Sequence, residues 1–343
     1  MPLARLKSPQ HPAVQAWRQV CSKSVEPDFI ELIQRSRNCV YRLGGVGPRG
    51  RAVIAKRSMT RYAHVEQAVY QDIFPHLPIF RLTFYGCVDE SQTEYSWLFL
   101  QDAGGEEFAH SIEKHRALAA RWLGEMHVSA ALVPAISRFP DRGPQYYRDD
   151  LLSARESIRE KLGDPAVNSQ DLLILEAMLA QVDFLISRWN RMEELCNRFP
   201  RTLVHGDLTK DHVRVRSNAR GTNFVVFDWG KAGYGIPGID IAETSAGGVP
   251  RDHVETELAD YWSVVRESWP DLDLTAIKQL ADLGAVLRLV AGLSWDSRNI
   301  GHGWRAMEGL RSYQVKLATA FERLGFGGED RANSFAHPRG RPV

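Results

Sequence analysis

Two carboxylates frame the chemistry open to this chain. Asp207 sits in the turn of Leu203-Val-His-Gly-Asp-Leu-Thr-Lys-Asp-His-Val213, between two apolar runs. Asp228 ends a β-branched and aromatic run in Val225-Val-Phe-Asp-Trp-Gly230. A hydroxyl acceptor needs one carboxylate to orient it and take its proton. A nucleotide triphosphate needs a second to hold magnesium against its phosphates. Taken alone, Asp207 reads as an ordinary turn former; with Asp228 and Asp240 downstream, chemistry is the better reading.

A cation belongs in such a site. Lys56 closes the apolar run Ala52-Val-Ile-Ala-Lys56, and Glu66 follows on a stretch with helical spacing. A buried ammonium needs an anionic partner, which Glu66 supplies. Lys210, three residues past Asp207, is within reach of a transferring phosphoryl group, though a surface lysine is its simpler reading. Gly44-Gly-Val-Gly-Pro-Arg-Gly50 can cover phosphates with backbone N–H groups or can be a plain hairpin turn.

The segment from His205 to Ala242 resembles the catalytic and metal-binding loops of the aminoglycoside phosphotransferase family, within the kinase-like fold. That resemblance implies transfer of the γ-phosphoryl group of ATP or GTP, with Mg2+, to a hydroxyl of a small molecule such as an antibiotic or metabolite. It implies Asp207 as the catalytic residue, Asp228 as a metal ligand, and Lys56 with Glu66 as the phosphate-gripping pair. Phe99, Leu100, Gln101 and Asp102 are implied to read the purine through their backbone. His205 is implied to brace the loop, and Asp240 to bind its backbone.

His212 stands where most members carry asparagine. Magnesium prefers oxygen, so imidazole is a poorer ligand than an amide carbonyl. Either neutral His212 serves the metal beside Asp228, or Asp228 is the only strong protein ligand. Histidine does occur here in the similar macrolide phosphotransferases, so we assign His212 to the metal site. A protein kinase is disfavoured, because the chain has glycine after His205 and no Ala-Pro-Glu-terminated activation segment follows Asp228. The alternative from another class is a catalytically inactive nucleotide-binding module, a pseudokinase.

The surrounding elements must place these groups. Residues 28–101 read as strands with one helix, which Thr60 is expected to cap and which runs through Phe74. Paired glycines at Gly104-Gly105 suggest a hinge. Helices follow over Ile112–Val133, after Ser169, and over Val254–Glu267, Leu274–Leu293 and Trp304–Leu324. The expectation is an α+β, bilobal, protein-kinase-like fold: a small β-rich N-lobe over 1–101, a larger helical C-lobe over 102–324, and a frayed tail over 325–343.

Composition bounds the rest. A net charge of +1 over 343 residues argues against a nucleic-acid binder. No run of apolar residues is long enough to span a membrane, and the N-terminus carries no secretory signal pattern. Four scattered cysteines, without a CxxC pair, read as reduced thiols of a cytoplasmic protein, a monomer or homodimer. The span Asp240–Asp296 is rich in acids (Glu243, Asp252, Glu255, Glu257, Asp260) and aromatics (Tyr261, Trp262, Trp269, Trp295). An acidic acceptor pocket would suit a cationic aminoglycoside-like molecule, but a solvated acidic helix face explains the acids more simply.

Overall fold

The computed structural model describes residues 5–6, 10–21, 25–35, 38–165, 167–219, 221–242, 253–298, 300 and 304–326. Of the tail expected to fray, residues 327–343 lie outside the described residues, as do Glu243 and Asp252.

The N-terminal part is one antiparallel sheet. Its strands are β1 (Arg5–Leu6), β2 (Ile30–Arg35), β3 (Cys39–Leu43), β4 (Val53–Met59), β5 (Phe84–Asp89) and β6 (Tyr95–Gln101), in the order β1-β2-β3-β4-β6-β5. Side chains alternate along a strand. Val53 and Ala55 therefore join Trp17, Trp97 and Phe99 in a cluster on one face. Lys56 belongs to the other face, and β4 continues three residues beyond it rather than ending there. Helix α1 (Pro12–Val20), which periodicity alone did not mark, covers the first face. Proline opens it, His11 Nδ1 accepts from Ala13 N–H, and Trp17 is buried against Phe99.

Helix α2 (Thr60–Ala68) packs on β5 and β6. Thr60 is its first residue, not its cap; the cap position is Met59, and the Thr60 hydroxyl instead donates to Ser96 Oγ, 2.8 Å away. Regular helix also stops before Phe74. Val69–Ile73 form a wider turn and Phe74–His76 a tighter one around Pro75, whose ring leaves no N–H to continue the ladder.

Gly44–Gly50 joins β3 to β4 at the end of the sheet where Leu43, Val53 and Gln101 lie side by side. Lys56, opposite Val40 and Leu98, is three residues further along β4. The glycine-rich segment is thus a hairpin connection beside Gln101.

The remainder is mostly helical: β7 (Glu106–Glu107), α3 (Glu113–Ala131), β8 (Asp141–Arg142), α4 (Pro144–Leu162), α5 (Ser169–Ser187), α6 (Trp189–Cys196), β9 (Thr202–Val204), β10 (Val213–Asn218), β11 (Gly221–Val226), β12 (Gly233–Gly235), α7 (Gly238–Ile241), α8 (Leu258–Val265), α9 (Leu274–Ser297) and α10 (Trp304–Arg323). Nearly every side chain of α9 from Leu280 to Val290 is buried, as expected of a helix enclosed by α4, α7, α8 and α10. Helix α4 was not anticipated, although its buried residues Tyr147, Leu151, Ala154 and Ile158 keep helical spacing. The expected helix from Val254 is shortened to α8. Glu257 holds extended backbone before it, and His253 makes an isolated antiparallel bridge to Thr209. Trp97, Trp122 and Trp189 are core residues. Among the described residues, no helix is long and apolar enough to cross a membrane.

Candidate active site

Lys56 joins the two halves of the chain. Its Nζ donates to Glu66 Oε2 at 2.6 Å and to Asp228 Oδ1 at 2.6 Å, spanning 172 residues of sequence to reach the latter. The Lys56 and Glu66 side chains are 8% and 1% exposed, whereas Asp228 keeps 35% of its side chain open. Burial opposes the Lys56 charge, but Asp228 and Glu66 outweigh it and hold the ammonium above its ordinary range. Burial also opposes ionisation of Asp228; Lys56, then His212, outweighs it and keeps that carboxyl well below the usual carboxylate range. One cation therefore serves two carboxylates, one in the core and one facing out.

Local backbone aims Asp228. Strand β11 ends at Val226, and Asp228 adopts a left-handed conformation (φ 67°, ψ 56°), uncommon for a residue with a Cβ. Such strain persists only where neighbours over-determine it. Here Trp229 is fully buried against Phe74, Trp122 and His205.

The turn after β9 carries Asp207. Gly206 is left-handed (φ +74°), and a Cβ there would lie 2.8 Å from the Lys231 carbonyl oxygen, so glycine is required twice over. Asp240 anchors this turn from below, accepting from His205 N–H at 2.7 Å and Gly206 N–H at 3.1 Å. Burial raises its carboxyl, but the hydrogen bond and charge of His127 lead the opposing effects and leave it lowered. Asp240 lies inside α7 rather than capping it, and α7 meets α9 where Gly238 and Gly284 allow close contact.

His205 is buried and neutral. Its Nδ1 accepts from Asp207 N–H at 3.2 Å, which leaves Nε2–H to donate to the Phe227 carbonyl at 3.0 Å. Burial, then the charge of His212, pushes its pKa down to about 4. The imidazole thereby ties the Asp207 turn to the residue preceding Asp228.

His212 faces Asp228. Phe227 N–H donates to the His212 carbonyl, extending the β10–β11 pairing and setting the two residues side by side. His212 Nδ1 donates to the Asp207 carbonyl at 2.8 Å. Its Nε2 points toward Asp228 Oδ2, 3.6 Å away. With Nε2 unprotonated, an imidazole nitrogen and a carboxylate oxygen converge as a donor pair that suits a divalent cation.

Lys231 was not singled out from sequence, although it lies within the Asp228–Ala242 motif. Its Nζ stands 2.9 Å from Asp207 Oδ2 and 5.7 Å from the Trp295 ring centre. His127 and Arg288 were missed as well. His127 bridges Tyr261 Oη and Asp240. Arg288, on α9, donates to the Leu208 carbonyl beside Asp207, and burial lowers its pKa to about 10. Buried polar residues on otherwise apolar helices leave no distinctive sequence spacing.

Phe99 and Leu100 lie on a central strand, paired with Ala55 and Ile54 on one side and with Gly86 and Phe84 on the other. Gln101 N–H donates to Thr83, and the Asp102 carboxylate accepts from Arg42 at 2.7 Å and from Gly104 N–H. Of the acids in the 240–296 span, Glu257 pairs with Arg116 and Asp260 with Arg121, both on α3. These two are tied to a neighbouring helix.

The chain resembles several solved structures at low identity. It covers 90% of its length and 98% of an aminoglycoside 2′-phosphotransferase in complex with GDP, at 16% identity and a TM-score of 0.59. Against choline kinase from Cryptosporidium parvum the coverage is 93% and 95%, at 12% identity and a TM-score of 0.58. Against a spectinomycin phosphotransferase in complex with ADP and spectinomycin it is 94% and 98%, at 11% identity and a TM-score of 0.55. These neighbours share the bilobal kinase-like α+β fold expected from the sequence. No curated protein matches the chain by sequence. Residues 36–274, well over half the chain, match the profile of the phosphotransferase enzyme family, APH, and the chain belongs to that family.

Proposed function

We propose that this protein transfers the γ-phosphoryl group of ATP or GTP to a hydroxyl of a small molecule. The observation that carries the reading is the bridge from Lys56 to Glu66 and Asp228, with Asp207 close to that centre through His205 and His212. Family membership supports phosphotransfer as the reaction class.

Nucleotide belongs between the sheet that ends near residue 101 and the helical remainder. Lys56 grips phosphate oxygens, with Glu66 holding its ammonium in place. Ile54 shares the Lys56 face of β4, and the chain from Gln101 to Asp102 borders the purine. Phe99 and Leu100 contribute by fixing that border, their backbone being committed to the sheet.

Asp228 and His212 would hold a divalent cation, Mg2+ in the simplest reading, which supplies charge neutralisation on the phosphates when bound. Asp207 accepts a hydrogen bond from the acceptor hydroxyl, orients it in line, and takes its proton late in transfer. Lys231 neutralises Asp207 before substrates arrive and lies close enough to meet charge developing on the transferring group. An intact set of Lys56, Asp207, Asp228 and Lys231 supports an enzyme over an inactive nucleotide-binding module.

The test is a panel of hydroxylated acceptors, including aminoglycosides, macrolides, choline and ethanolamine, incubated with ATP or GTP and Mg2+. A product heavier by one phosphate supports the proposal. Nucleotide binding without any phosphorylated acceptor supports the inactive module.

A further inference from the structure

Away from the cleft, three side chains with metal-ligating atoms meet between α2 and β5. His64 comes from α2, and Cys87 with Asp89 from one face of β5, two residues apart. Their ligand atoms all lie within 4.8 Å of one another, and His64 Nε2 is 2.9 Å from Asp89 Oδ1. The carboxylate is already oriented: Ser96 Oγ, fully buried, donates to Asp89 Oδ1 at 2.6 Å. Such outer hydrogen bonds fix ligating carboxylates in metal sites. Burial, then the Asp89 and Glu66 carboxylates, pushes the Cys87 thiol up to about 11, so a bound cation has to displace its proton.

We propose that His64, Cys87 and Asp89 form a second metal site, which takes a Zn2+-class divalent ion and clamps α2 to β5. The donor set decides the class. One thiolate, one imidazole and one carboxylate match Zn2+ and exclude Mg2+, which prefers oxygen alone. Three protein ligands leave a fourth position for water, and His64 and Asp89, half-exposed, open that position to solvent. Binding displaces the thiol proton to solvent as sulfur joins the metal.

The consequence reaches the active site through α2. Glu66 lies two residues past His64 on the same short helix and grips Lys56. A metal joining α2 to the sheet restricts the helix that must stay in register for that ion pair to form. The site itself stands independently of phosphotransfer.

Co2+ titration of the full-length protein tests the proposal, because thiolate bound to Co2+ gives a near-ultraviolet charge-transfer band that oxygen and imidazole ligands do not. The wild type should take up one equivalent with that band, and Zn2+ should displace it. Cys87→Ser should abolish the band, and His64→Ala should weaken uptake. Ser96→Ala, which removes the bond orienting Asp89 together with the Ser96–Thr60 bond, should weaken it about tenfold. Asp228→Asn should leave the band unchanged, which separates this site from the one in the cleft. No band in the wild type, or a band undiminished in Cys87→Ser or His64→Ala, would overturn the proposal.

Discussion

Lys231 Nζ stands 2.9 Å from Asp207 Oδ2, so the carboxylate proposed to receive the acceptor proton is already paired with a cation. This ammonium also lies against Trp295 of α9, which restricts where it can swing. If it stabilises the transferring group, Lys231→Met should lower kcat about a hundredfold, the usual cost of losing one such donor. Lys231→Arg should recover most of that rate. Steady-state kinetics with the acceptor found by the panel would show unchanged kcat in Lys231→Met if the residue were merely on the surface.

The Lys56–Glu66 pair is buried, and breaking it from either side strands a charge. Lys56→Met leaves Glu66 and Asp228 facing each other without their cation. The expected loss of stability is about 3–5 kcal/mol, read by urea denaturation, together with loss of nucleotide binding by calorimetry. A stable Lys56→Met variant that binds nucleotide normally would remove Lys56 from the site.

Asp240 acts through the backbone of the Asp207 turn. Asp240→Asn keeps the shape but weakens charge-assisted bonds worth about 1.5–3 kcal/mol each. The variant should lose stability and kcat together, while KM for nucleotide changes little. A fall in KM-dependent binding with kcat intact would contradict this positioning role.

His205 makes stability depend on pH in a defined direction. Its folded pKa is lowered to about 4, against the ordinary value of 6.5, so the unfolded chain takes the proton first. This contribution is fully present above the ordinary value and is lost as pH falls toward the folded one. The slope is about 1.4 kcal/mol per pH unit in that window. Denaturation from pH 7 to 4 should show a shallower decline for His205→Asn than for the wild type. Parallel declines would mean that His205 is charged, or freely solvated, in the folded protein.

His212 should bias metal choice. Imidazole suits Mn2+ better than Mg2+, so the ratio of Mn2+- to Mg2+-supported kcat/KM should fall in His212→Asn. An unchanged ratio would leave Asp228 as the only protein ligand.

How legible all this was depended on the kind of residue. Asp207 and Asp228 stood out because each lies in a glycine-punctuated turn, where local sequence sets the backbone, and Asp240 because it follows such a stretch at the start of α7. Their grouping in space follows from the β10–β11 pairing and from α7, both readable nearby. Lys231 was visible as a letter of the same motif but not as a partner of Asp207, since a side-chain direction has no signature. His127 and Arg288 were hidden among apolar helix residues, where burial masks polar purpose. The lobe pattern was readable from the change of period after Gln101. Helix α4 shows the converse: its apolar spacing was present but diluted by charge.

The central claim is that Asp207 serves phosphotransfer to a hydroxyl in the cleft spanned by Lys56 and Asp228. The most direct test compares wild type and Asp207→Ala by mass spectrometry of the acceptor panel with ATP or GTP and Mg2+. The account predicts an acceptor heavier by one phosphate with the wild type, and none with Asp207→Ala although nucleotide still binds. Equal product from both proteins would contradict it.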